Sequence, residues 1–370
     1  MKKFSALLSL VLIVSLLAGC AGTPVVYYAD CTCPTAEQDV PAVEVTTPTE
    51  SPVTATGALK TGLAVITSVA DSASATEEAE GKAKYELTMV AVLVDDNGVI
   101  VDCVIDGISS SQANITFDAS GVITSDLTVG PATKNELGDD YGMKAKDGGW
   151  GAQFEWYEQA ASFASYVVNK TADEVAGIAV DADTKPTGAD LTSSVTIKVG
   201  DFIAAVQKAV ANAQYLGAKA GDELKLVANT SYGSSADATE EKNGNAQLDV
   251  DVAAVTMKGD IITSCVIDAV QGKVGFDTEG QLTSDITATV LTKNELGDDY
   301  GMKAKDGGWG AQFEWYEQAA SFASYVTGKT AADVAGIAVD EGTKPTDADL
   351  ATSVTIAVGG FQALIAKAAQ

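Results

Sequence analysis

One 35-residue stretch occurs twice without a single change. Thr133 to Val167 and Thr292 to Val326 both read TKNELGDDYGMKAKDGGWGAQFEWYEQAASFASYV, 159 positions apart. Identity over that length means two copies of one unit, and the period sets the size of each copy. The unit is far longer than a solenoid repeat and long enough to close its own core. The 370 residues therefore divide into a leader, a tether and two repeat domains, 59–216 and 217–370. Beyond the block, residues 168–210 match residues 327–369 at only 27 of 43 positions. The block is thus either held fixed by function or recently copied, and both explanations stay open.

The leader is residues 1–19. Lys2 and Lys3 precede an apolar run, Phe4 to Leu17, of signal-peptide length and too short for a comfortable membrane span. It ends in Leu17-Ala18-Gly19-Cys20, which resembles the bacterial lipobox. That resemblance makes Cys20 the lipidated N-terminus, and two acyl chains hold a membrane far better than one. The implied location is the extracellular face of the cytoplasmic membrane. Residues 20–58 are rich in Thr, Pro, Val and Glu without hydrophobic periodicity, the composition of a disordered tether. Cys31 and Cys33 sit there as Cys-Thr-Cys; two thiols make a poor zinc site, so disulfide chemistry is the better reading.

Charge and histidine content exclude several classes. The chain has 51 acidic and 23 basic residues, a formal net charge of -28, which repels nucleic acid and anionic membrane faces. It has no histidine, which removes the commonest general base and the Ser-His and Cys-His pairs. The expectation is a protein that is not a hydrolytic enzyme.

Within each copy, strand patterns come first and helix patterns last. Ala64–Ala70, Tyr85–Val94 and Val99–Ile105 read as strands, with a hairpin turn at Asp95-Asp96-Asn97-Gly98. Ile115–Phe117 and Val122–Thr124 flank another glycine turn. A helix is expected from about Ala152, with Trp156, Ala160, Phe163 and Val167 on one stripe, and another from about Gly200. Thr171 is placed to cap a short helix. The second copy repeats this with strands Val250–Met257 and Ile261–Ile267, a helix over Ala311–Val326 and a closing stripe of Phe361, Leu364, Ile365 and Ala368. The fold class is α+β, helices packed on one face of an antiparallel sheet. Cys103 and Cys265, one per copy, read as small buried hydrophobes.

Chemistry is suggested first by Ser194-Val195-Thr196 and Ser353-Val354-Thr355, each a few residues before the last helix of its copy. The layout resembles the bacterial FMN-binding domain, in which a flavin transferase joins FMN phosphate to the threonine of an Asp…Ser-Gly-Ala-Thr motif. The hairpin VTMKGDIITSCVID resembles that family's opening strands, and the tandem arrangement resembles Gram-positive surface lipoproteins of extracellular electron transfer. The resemblance implies FMN on Thr196 and Thr355, with Ser194 and Ser353 beside it, and a flavin transferase and a redox partner outside the cell. A helix N-terminus would favour the phosphate charge. Here Ser-Val replaces Gly-Ala, and Ser-Val-Thr-Ile-x-Val also reads as a plain strand.

Two further features compete. Glu136, Asp139 and Asp140, repeated at Glu295, Asp298 and Asp299, lie in a glycine-rich loop. Clustered carboxylates suit calcium, but the Asp-x-Asp-x-Asp-Gly spacing is missing, which favours an Asp-stabilised turn. Trp150 and Trp309 precede the long helices amid glycines and are the better candidates to stack on a flavin ring, while Trp156 and Trp315 sit at core spacing. The alternative function is a non-catalytic surface module that binds glycan or peptide, or a structural envelope lipoprotein.

Overall fold

The computed structural model describes residues 57–144, 151–303, 308 and 310–370. The expected signal peptide, Cys20, Cys31, Cys33, Trp150 and Trp309 lie outside the described residues. The first copy contributes β1 (Ala58–Ser68), β2 (Gly81–Lys84), β3 (Glu86–Val94), β4 (Ile100–Ile108) and β5 (Asn114–Phe117). Then come α1 (Lys134–Leu137), α2 (Trp156–Val167), α3 (Ala172–Ala176), α4 (Ala189–Thr192) and α5 (Gly200–Ala211). The chain continues through β6 (Gln214–Lys219) into β7 (Glu223–Ser231), β8 (Gly244–Lys258) and β9 (Ile261–Phe276). It closes with α6 (Lys293–Leu296), α7 (Trp315–Val326), α8 (Ala331–Ala335), α9 (Ala348–Ala351) and α10 (Gly359–Ala368).

The class is α+β, with antiparallel sheets packed by helices. The first sheet runs β4-β3-β1-β6, the second β7-β8-β9, and β2 pairs with β5. In the second copy the strands run unbroken through β8 and β9. In the first they break at Tyr85 and at Ser109–Ala113, giving the β2-β5 extension. The helices start where their caps are. Thr171 and Thr330 close capping boxes on α3 and α8. The long helices begin at Trp156 and Trp315, later than the apolar pattern suggests, because Glu155 and Glu314 form the capping boxes.

Each central strand is apolar on both faces, and alternation assigns the faces. Leu87, Met89, Ala91 and Leu93 of β3 join one cluster with Leu248, Val250, Val252 and Ala254 of β8. Val90, Val92 and Val94 turn the other way, onto Phe163 of α2 and Phe202 and Val206 of α5. Ala253, Val255 and Met257 likewise meet Phe322 of α7 and Phe361 and Leu364 of α10. The layers are therefore helices, sheet, sheet, helices. The middle core belongs to both copies, which corrects the expectation that each copy closes its own core. The described residues of both copies fall in one compact unit, and the expected boundary at 216/217 lies inside β6.

Contacts between the copies come in reciprocal pairs, as a local two-fold relation requires. Phe117 and Phe276 are equivalent residues, and their rings stack with centroids 4.1 Å apart and planes 5° from parallel. The Ala75 N–H donates to the Gly280 carbonyl at 2.8 Å, and the Ala238 N–H to the Gly121 carbonyl at 2.8 Å. Lys208 pairs with Glu295 at 2.6 Å while Lys367 pairs with Glu136 at 2.6 Å. Each lysine also donates to a strand carbonyl, Val65 of β1 at 2.8 Å or Ala228 of β7 at 2.6 Å. Gly62 lets α5 cross β1 closely, since a β-carbon there would lie 2.0 Å from the Ala209 carbonyl oxygen.

Truncating Phe276 to alanine removes the stack and leaves a cavity between the sheets. The expected cost is about 3–5 kcal/mol, read from urea denaturation, and it should fall on the whole body.

Candidate functional site

The repeated block is stitched to the outer edge of each sheet by a buried aspartate. Asp106 Oδ1 accepts the Gly107 N–H at 2.7 Å and the Asn135 N–H at 3.0 Å. Asn135 in turn donates through Nδ2 to the Ile105 carbonyl at 2.9 Å. Asp268 does the same with Ala269 and Asn294, at 2.7 and 3.0 Å. Burial pushes both carboxyls up to about 6, and the hydrogen bonds from Thr133 or Thr292 and from the backbone pull only part of the way back.

Farther along, Glu155 ties the base of the glycine-rich loop. It accepts the Met143 and Lys144 N–H groups at 2.8 Å each, and the Ala152 N–H bonds the Met143 carbonyl at 2.8 Å. Glu314 repeats this at Met302 and Lys303. Lys134 is buried beneath α2, 4.8 Å from the Trp156 ring centre and 2.9 Å from Glu86. Lys293 lies 4.8 Å from Trp315, and burial lowers its pKa. Trp156 and Trp315 are thus core residues that also cover a cation, buried at Lys134 and half-buried at Lys293.

The Ser-Val-Thr segments form loops, between α4 and α5 and between α9 and α10, rather than strands. Val195, Val199, Val354 and Val358 are fully buried and anchor them. Thr196 and Thr355 are exposed. The fully buried Gln159 Oε1 accepts the Thr196 N–H at 2.8 Å and its hydroxyl at 3.2 Å. Gln318 holds Thr355 identically and also takes the Ile356 N–H at 3.2 Å. Ser194 and Ser353 donate back to Leu191 and Leu350 at 3.4 Å. The start of α5 is not open: a β-carbon at Gly200 would lie 3.1 Å from the Thr184 side chain, and Thr343 covers Gly359 in the same way. Both threonines hold positive φ, 61° and 58°, a conformation that disfavours branched residues. Thr184 and Thr343 thus pack against the first residue of α5 and α10, and their carbonyls take the Val199 and Val358 N–H groups at 2.9 Å each.

The acidic loop is engaged in local pairing. Glu136 serves the α1 capping box and Lys367, and Asp139 meets the Tyr157 hydroxyl at 3.2 Å and Lys144 at 3.7 Å. Among the described residues no group of three or more acidic or cysteine side chains is arranged to hold a metal. Cys103 and Cys265 are free and buried, and burial pushes the Cys265 thiol up to about 12.

Sequence reasoning missed a pair of equivalent clefts, one per copy, between an edge strand and a long helix. The first, about 330 Å³, lies along Cys103 to Ile105 with Tyr157, Ala161 and Ala164 opposite. The second, about 700 Å³, runs along Cys265 to Asp268 and is deepened by Lys208, Asn212 and Tyr215 of the first copy. The signal for it was weak: β6, which builds its far wall, is a short mixed segment with little pattern. Comparison with known proteins finds no matching family model, no similar curated protein and no similar solved structure. The flavin-domain resemblance rests on the residues quoted above.

Asp106 and Asp268 give a test in pH. Their folded values near 6 exceed the unfolded 3.8, so their favourable contribution is full below pH 3.8 and is lost as pH rises through about 6. Relative to wild type, Asp268→Asn should gain up to about 3 kcal/mol between pH 3.8 and pH 7. Denaturant titrations across that range check it, and parallel stability curves would contradict it.

Proposed function

We propose that this chain is a lipid-anchored surface protein that carries flavin on its two copies for electron transfer outside the cell. The observation that carries the reading is the matched pair Thr196 and Thr355. Each is an exposed residue on a loop pinned by buried valines and by a buried glutamine, which also accepts its hydroxyl at 3.2 Å. A phosphoester needs a hydroxyl on a held backbone at the surface, and both threonines are exposed residues on such loops. Esterification would give up the hydroxyl bond to Gln159 or Gln318, while the threonine N–H keeps its bond to the same oxygen.

Flavin, when bound, supplies electron transfer, and the protein supplies position. Cys20 would anchor the chain through lipid, and residues 20–58 would hold the folded body off the membrane. A flavin transferase and a redox partner are the implied partners, and nucleic acid is disfavoured by the charge of -28. A non-catalytic binding module is the second reading, and the clefts beside β4 and β9 are what favour it.

Intact mass and absorption of the mature chain, made in a host with a flavin transferase, test the first reading. The expected result is added mass of one FMN less water at each site, with Thr196→Ala and Thr355→Ala each removing one increment. Unmodified, colourless protein would overturn it and leave the binding reading.

A further inference from the structure

The larger cleft has a floor that the smaller one lacks. Along β9 the Ile267 carbonyl accepts the Asn294 side chain at 3.0 Å, and the Ala269 N–H turns to the Asp268 carboxylate at 2.7 Å. Both residues therefore direct their backbone groups away from β8, toward the outer edge. The two-residue alternation of a strand puts the Cys265 N–H and C=O on that same edge. The first copy confirms the parity at the equivalent residue, where the Cys103 N–H is bonded to the Asp102 carboxylate at 2.8 Å. That carboxylate blunts the β4 edge, a usual protection against stray strand pairing. In the second copy Ser264 takes its place, and the Ser264 hydroxyl is turned to Thr61 and Thr256, at 2.7 Å each. The larger cleft thus has no counterpart of the Asp102 cap at its Cys265 N–H.

The walls suit a strand. On one side α7 offers Ala320, Ala323 and Ser324, small residues that let a second backbone approach. On the other, Asn212, Gln214 and Tyr215 supply amides and a half-exposed ring. Gly217, at φ 118°, brings β6 close against β9, since a β-carbon there would lie 2.3 Å from the Thr263 carbonyl oxygen. About 700 Å³ lies within the range of sites that enclose small ligands. Among the lining residues the cation is Lys208, already paired with Glu295 at 2.6 Å, while Asp268 adds an acid to a chain of net charge -28. An acidic segment would be repelled.

We propose that the cleft between β9 and α7 binds an extended, neutral or basic peptide segment as an added strand. Its main chain would pair with the Cys265 N–H and C=O and the Ile267 N–H, and its alternate side chains would face α7 and the corner between α5 and β6. This is recognition by strand addition, in which main-chain bonds give affinity and side pockets give selectivity. The site is independent of the flavin reading, since it uses neither Thr196 nor Thr355.

The test pans a phage-displayed random nonapeptide library on the mature chain and measures the synthesised winners by fluorescence anisotropy. Ala320→Arg and Ser324→Arg are exposed positions on α7 and fill the cleft without entering the core. Either should weaken binding at least tenfold, whereas Ala161→Arg, in the cleft of the first copy, should not. Amide exchange followed by NMR should slow at Cys265 and Ile267 when peptide is bound. Equal affinity for the arginine variants, unchanged exchange at those two amides, or enrichment of acidic peptides would overturn the proposal. So would a chain that selects no peptide yet retains a neutral saccharide from a glycan array, with Ala320→Arg abolishing that retention.

Discussion

Phe117 and Phe276 stack where the two sheets meet, and the rest of the body is arranged around the surface they help close. A strand such as β3, apolar at nearly every position, cannot be satisfied by helices on one face. The second sheet supplies the other cover, so each copy completes its neighbour. Burial of Leu87, Met89 and Leu93 against Leu248, Val250 and Val252 is the non-directional part of that closure. The reciprocal backbone bonds at Ala75 and Ala238, and the lysine pairs at Glu136 and Glu295, give it orientation. The lysines are notable for joining three things: a helix end, a strand carbonyl and the other copy's capping carboxylate. In effect the chain is a two-fold dimer carried on one polypeptide.

That arrangement explains why the clefts differ. After α5 the chain runs on through β6 along β1, and β6 forms a wall of the second cleft. The first cleft, beside β4, lacks such a wall and keeps Asp102 on its strand edge. Two copies with one identical block thus present unlike surfaces. Within the identical block Thr133, Asn135 and Glu155 each bond backbone of their own copy, while Glu136 and Glu295 reach the other copy's lysines.

Much of this was legible from local pattern. The hairpins, the long amphipathic helices and the closing stripe of Phe361, Leu364, Ile365 and Ala368 follow from periodicity, which reports one element at a time. The helix starts at Trp156 and Trp315 were set by Glu155 and Glu314, whose capping role depends on a carboxylate reaching forward and a partner reaching back. The shared core was not legible from the repeat, because a period gives the size of a unit and not what its second face touches. The clue lay in Glu86–Val94, apolar on both alternating sets, a pattern that demands cover on two sides. At the candidate site, sequence placed Thr196 and Thr355 before a helix but gave no view of Thr184 and Thr343. Those two residues come from turns in the α3–α4 and α8–α9 loops and pack on the helix start through tertiary contact.

The central claim is that the two copies share one core and so form one cooperative body. Differential scanning calorimetry of the protein measures this directly. The shared core predicts a single transition whose calorimetric and van't Hoff enthalpies agree. Two separable transitions, or a calorimetric enthalpy about twice the van't Hoff value, would mean that each copy folds on a core of its own.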